Sequence, residues 1–155
     1  MKLNGMMTLK GQFNIKHYNK DGELLSEETI DNTVTNTGKA EIAGLINEAT
    51  SGGFKWLALD ASSTAAAATD TALASEITSD SLKRIAATCT RVTTTVTNDT
   101  AQAVKTWNCT ATQTVYGAGL LDSSSSGVMA SRATFAAKNL TSGDTLQITH
   151  RLKCA

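Results

Sequence analysis

Thr145-Leu-Gln-Ile-Thr-His-Arg-Leu-Lys153 decides the fold class. Leu146, Ile148, His150 and Leu152 alternate with Thr145, Gln147, Thr149 and Arg151, the pattern of a strand with one buried face. The stretch before it, 128–137, alternates as well: Met129, Ala133 and Phe135 against Ala130, Arg132 and Thr134. Leu140-Thr-Ser-Gly-Asp144 joins the two with turn chemistry. Upstream, 83–97 and 100–116 read as two further strands folded back on each other around Asn98-Asp99. The expectation is a C-terminal sheet of four strands, spanning 83–153, to which the other elements are added.

Working back to the N-terminus, Leu9, Phe13 and Ile15 again fall on alternate positions. Asp21-Gly22 is a hairpin signal, and residues 23–30 return as a second strand. Glu23, Glu27 and Glu28 mark that return strand as an exposed edge, where charge discourages aggregation. Thr37 is placed to cap one short amphipathic helix, about 37–48, with Ala40, Ala43 and Ile46 on one face and Ile42 and Leu45 beside them. Phe54-Lys-Trp-Leu-Ala-Leu59 reads as a strand buried on both faces. The Ala/Ser/Thr run at 61–71 reads as a loop, with Asp70 capping a single helical turn over 72–77. Gly117-Ala-Gly-Leu-Leu-Asp-Ser-Ser-Ser-Ser-Gly127 reads as a flexible connector that packs down at its leucines and then loops out.

These elements predict a mainly β protein, a β-sandwich or jelly-roll of about eight antiparallel strands with one short helix. The chain divides into an arm, 1–10, and a single sandwich domain, 11–155, large enough to bury a core. Only 18% of residues are charged, and the 14 basic side chains equal the 14 acidic ones. That balance offers no basic footprint for nucleic acid. No apolar run is long enough to span a bilayer and no N-terminal stretch reads as a signal peptide, which places synthesis in a cytoplasm.

The chemistry-bearing residues are few. His17 and His150 lie in strands with no second ligand at a metal-binding spacing. Asp80, Asp122 and Asp144 fall in turns, where they satisfy backbone donors. No GxSxG frame places a nucleophile, and neither glycine pair is a phosphate loop. Three cysteines without a CxxC exclude a zinc or disulfide scaffold. Cys89 and Cys109 fall symmetrically about Asp99, as near cross-strand partners: two small buried residues, or a disulfide across the hairpin. Trp56 and Trp107 are core residues or, with Tyr116, a stacking platform for a sugar. No catalytic residue, metal or cofactor is expected. Leu3, Met6 and Met7 lack apolar partners in their own segment, which suits an arm docked on a neighbouring subunit. Together with Leu120 and Leu121 they are the candidate interface residues.

Asn32-Thr-Val-Thr-Asn-Thr-Gly-Lys39, leading into Ala-Glu-Ile-Ala-Gly-Leu-Ile46, resembles a group of small virion proteins of tailed bacteriophages. So do Phe54-Lys-Trp-Leu-Ala-Leu59 with its following Ala/Thr loop, Leu73-Ala-Ser-Glu-Ile77, Gly127-Val-Met-Ala-Ser-Arg132 and Ser142-Gly-Asp-Thr-Leu-Gln-Ile148. Asp60 stands where that group would have Gly, and Leu121 where it would have an aromatic. The resemblance implies a non-enzymatic virion protein, most specifically a capsid cement or decoration protein. Such a protein would sit on the outer head surface as a homo-oligomer, with a trimer favoured, and bind the major capsid protein through its arm and its loops at 60–71 and 117–127. A tail, neck or fibre-associated subunit is the alternative in the same class. A carbohydrate-binding module is the alternative outside it.

Overall fold

The computed structural model describes residues 8–79 and 81–154. Among the described residues, ten strands and one helix follow in order: β1 (Leu9–Tyr18), β2 (Leu24–Asp31), β3 (Thr33–Val34), α1 (Asn36–Ile46), β4 (Trp56–Asp60), β5 (Ile85–Ala86), β6 (Thr88–Val92), β7 (Thr100–Asn108), β8 (Gln113–Leu121), β9 (Met129–Leu140) and β10 (Thr145–Cys154). They form two antiparallel sheets of five strands, a sandwich: sheet A in the order β2-β1-β10-β7-β6 and sheet B in the order β3-β9-β8-β4-β5.

This arrangement corrects the expectation of one C-terminal sheet. β9 and β10 follow each other in sequence but lie in opposite sheets, and so do β7 and β8. The turn after Leu140 therefore crosses the sandwich instead of closing a hairpin. Asp144 holds that crossing: its Oδ2 accepts from Thr141 N at 2.9 Å and meets His17 Nε2 at 3.0 Å. β10 pairs instead with β1 along its whole length, Leu9 with Cys154 through Tyr18 with Thr145. Leu9 and Lys10, assigned to the arm, are thus part of sheet A. Leu3, Met6, Met7 and Asp80 lie outside the described residues.

Between the sheets, Phe13, Ile15, Leu57, Leu59, Leu146 and Ile148 are fully buried. The predicted alternation in β1 and β10 is the inward row of this core. Sheet B is covered on its outer side too. There Leu73 packs over Gly119, and Ala58, Leu121 and Met129 form a second apolar cluster beneath it with Trp56. That double burial explains the continuous apolar run of β4. It also corrects the flexible connector: residues 117–121 are β8, with Leu120 facing the main core and Leu121 the smaller one.

The helix begins earlier than expected. Thr35, not Thr37, is the N-cap, and its hydroxyl accepts from Gly38 N at 2.9 Å. Thr35 is fully buried and its Oγ1 donates to Met129 O, so the cap is bolted to β9. A Cβ on Gly38 would lie 2.4 Å from Ala130 O, so only glycine lets the helix approach this closely. The anchored start turns Ile42 and Leu45 towards the sheet, while Ala40, Ala43 and Ile46 are exposed, so the covered stripe lies on the two residues expected beside the face and not on the face itself.

The hairpin register differs as well. Cys89 pairs with Ala103, not with Cys109, because the turn between β6 and β7 runs over residues 93–99. The Asp99 carboxylate organises it, accepting from the amides of Thr94, Thr95 and Val96 at 2.9–3.0 Å. Those backbone donors hold its pKa well below the usual carboxylate range. All three cysteines are free thiols.

Candidate functional site

The outer faces of the two sheets differ. Sheet B carries the 61–77 segment, whereas no segment among the described residues covers the polar outer face of sheet A. One row across it runs Asp31, Gln12, Arg151, Gln102, Thr90; the next runs Thr29, Asn14, Thr149, Val104, Thr88. Cross-strand bonds tie the rows: Asn14 Nδ2 donates to Glu27 Oε1 at 2.8 Å, and Arg151 Nε donates to Gln102 Oε1 at 2.8 Å. At one end of the sheet, Lys10, Arg151 and Lys153 with Asp31 and Asn32 line a cleft of about 560 Å³.

Two arginines, Arg132 buried and Arg84 half-buried, hold the low-complexity loops. Arg132, 1% exposed, lies on the outer side of β9 beneath the Ala/Ser/Thr loop. Its Nη2 donates to Asp60 Oδ2 at 3.2 Å and to Thr64 O at 2.9 Å, and its Nη1 to Asp70 Oδ2 at 2.9 Å. Asp60 is fully buried and also accepts from the amides of Ser62, Ala74 and Ser75. A buried ion pair whose remaining lone pairs meet backbone donors tolerates burial. Asp70 is therefore a loop anchor. It caps no helical turn, and residues 72–77 are not helical. Arg84 does the same for the serine loop: Nη1 donates to Ser123 O at 2.9 Å and Ser126 O at 2.8 Å, while Nε donates to Glu76 Oε1 at 2.8 Å. Asp122 closes that loop, accepting from Val128 N at 2.8 Å. Neither arginine's role is local in sequence, since Arg132 and Asp60 are 72 residues apart.

A third polar cluster bridges the sheets. His150, on β10, is 1% exposed and stacks edge-on against Phe13. Asn32 Nδ2 donates to His150 Nε2 at 2.8 Å and to Ser131 Oγ at 2.9 Å, and Ser131 Oγ lies 3.0 Å from the same ring nitrogen. Burial pushes the His150 pKa down to about 3, so the ring is neutral across the physiological range. Ser131 has the reach of a nucleophile–base pair with His150. It is itself 1% exposed, and it lines neither the cleft that Asn32 borders nor the one that His150 borders. His17 has a carboxylate partner, Asp144.

The remaining sequence candidates resolve as follows. Leu120 and Leu121, 5% and 2% exposed, are core residues and present no contact surface. Trp107 is 3% exposed with its Nε1 donating to Lys83 O at 3.0 Å, which removes it as a stacking platform. Trp56 is half-buried under the second cluster. Among the described residues no group of three His, Cys, Asp or Glu is placed to hold a metal ion. No described helix is long and apolar enough to cross a membrane. No family model, curated protein or solved structure matches this chain.

Proposed function

We propose that this chain is a non-enzymatic structural protein of a tailed-phage virion, a cement or decoration protein bound to the outer head surface. The observation that carries this reading is the use of two arginines, one buried and one half-buried. Arg132 and Arg84 are spent on fixing two surface loops of otherwise featureless Ala, Ser and Thr. A loop held in one shape loses little entropy when a partner docks, so pinning favours contact surfaces. The sequence resemblance supplies the virion, and the pinned loops at 60–71 and 122–127 supply the contact sites. The protein acts as a homo-oligomer, with the major capsid protein as its partner. The work is thermodynamic: interface that exists only on the assembled shell stabilises the shell by mass action.

Shells lacking the protein, incubated with purified chain, are expected to bind it to a fixed stoichiometry and to melt at a higher temperature. Unaltered shells and free protein after gradient separation would overturn the reading. Binding to isolated tails alone would move the protein to a tail or neck position.

A further inference from the structure

Four side chains form a block on the outer face of sheet A, at the end that carries the larger cleft. Lys10 on β1 lies directly opposite Lys153 on β10, and Gln12 lies directly opposite Arg151. The two-residue alternation of each strand puts all four on the same face. All four line the cleft of about 560 Å³. Like charges directly opposite in a ladder oppose its pairing. Here two lysines face each other, with Arg151 diagonal to Lys10. Among the described residues no carboxylate forms an ion pair with Lys10, Arg151 or Lys153. The hydrogen-bond partners of the last two are neutral. Arg151 Nε donates to Gln102 Oε1, which leaves both terminal nitrogens of the guanidinium unspent. Lys153 Nζ donates to Thr95 Oγ1 at 2.6 Å. Among the described lining residues the only acidic one is Asp31, whose Oδ1 accepts from Gln12 Nε2 at 3.3 Å.

We propose that this cleft binds an acidic sugar, a small hydroxylated carboxylate. The ligand carboxylate sits on the free fork of Arg151 and beside the ammonium groups of Lys10 and Lys153, where it offsets their repulsion. The Asp31 carboxylate and the Gln12 amide take the hydroxyls. Leu9 and Val34 give the ring an apolar wall. Three cations against one carboxylate leave an excess of two positive charges, which favours an anion. Asp31 in the same cleft penalises a ligand that carries further negative charge, so a monoanion is preferred to a phosphate ester. The volume falls within the range of small-molecule sites. The cleft lies on sheet A, away from both pinned loops, so it stands or falls apart from the virion reading.

Calorimetric titration of the full chain with glucuronate, glucose, acetate and glucose 6-phosphate tests it. Glucuronate is expected to bind with a Kd of about 1 mM or tighter. Glucose, which lacks the carboxylate, and acetate, which lacks the hydroxyls, are expected to bind at least about tenfold more weakly, and glucose 6-phosphate more weakly than glucuronate. Arg151→Gln and Lys10→Gln are each expected to weaken glucuronate binding by at least about tenfold. Arg91→Gln removes an exposed cation that does not line the cleft and is expected to leave binding unchanged. Lys10→Gln also removes one member of the like-charged pair, so its ligand-free melting temperature is expected to hold or rise while binding falls, which separates a lost contact from a lost fold. No binding of glucuronate, equal or greater affinity for acetate or glucose 6-phosphate, or an Arg91→Gln effect as large as that of Arg151→Gln would each overturn the proposal.

Discussion

Lowering the pH from 7 to 5 should unload the sandwich through one side chain, His150. In the folded protein its pKa is about 3, because burial penalises the charged ring, and the Asn32 amide presents a donor to Nε2. In the unfolded chain it returns to the ordinary value of about 6.5. Below that value the unfolded state takes up a proton and the folded state does not. The depressed folded pKa therefore means stability that is complete above about pH 7 and falls with acid at about 1.4 kcal/mol per unit. The loss is about 2 kcal/mol by pH 5 and approaches about 5 kcal/mol near pH 3. The lowered carboxylates, Asp99 and Asp144 among them, act in the same direction. Their contribution is present above the unfolded carboxylate value, so it is lost in more acid solution, outside this window. Urea unfolding at several pH values between 7 and 5 measures the slope. His150→Gln removes the titration while leaving His17 in place, so the difference between the two slopes isolates the effect. Equal slopes, or a His150 resonance that titrates near the free value, would refute the reasoning.

Arg132→Ala leaves Asp60 buried without its cation and should cost about 3 kcal/mol, at the low end for a broken buried pair because backbone donors remain. The same variant should become cleavable at 61–71 under limited proteolysis, whereas wild type resists. Gly38→Ala forces a methyl onto the Ala130 backbone and should cost about 1–3 kcal/mol, read as a lower melting temperature. Asp99→Asn should speed amide exchange in the 93–99 turn without altering the rest of sheet A. A thiol reagent should find Cys89 and Cys154 quickly and Cys109 only on unfolding, and non-reducing mass analysis should show no Cys89–Cys109 bond.

What the sequence reveals depends on the range of the interaction. β1 and β10 are legible because one buried face imposes alternation within a few residues. β4 is legible because burial on both faces imposes an apolar run. The placing of strands is not local. The sequence contains the turn after Leu140 but not the fact that it crosses the sandwich, since that follows from β10 preferring β1 as its neighbour. The register of β6 against β7 turns on the Asp99 carboxylate gathering three amides, which lengthens the loop and moves Cys89 away from Cys109. Arg132 reads as an outward, solvated strand residue until the loop that covers it is in place. Its partner Asp60 draws notice only as a departure from a turn glycine.

The pairing of β1 with β10 sets an order of events in the cell. Sheet A has β10 at its centre, between β1 and β7, and residues 145–154 are the last of these strands to be made. Until those residues are made, β1 and β2 have only each other, and β7 has only β6. The core row of Leu146, Ile148 and His150 is then missing, and so is the partner of Ser131. A nascent or prematurely ended chain therefore presents no finished sandwich and neither cleft. Closure of sheet A therefore waits for the pairing of β1 with β10, the most distant in sequence of its ladders.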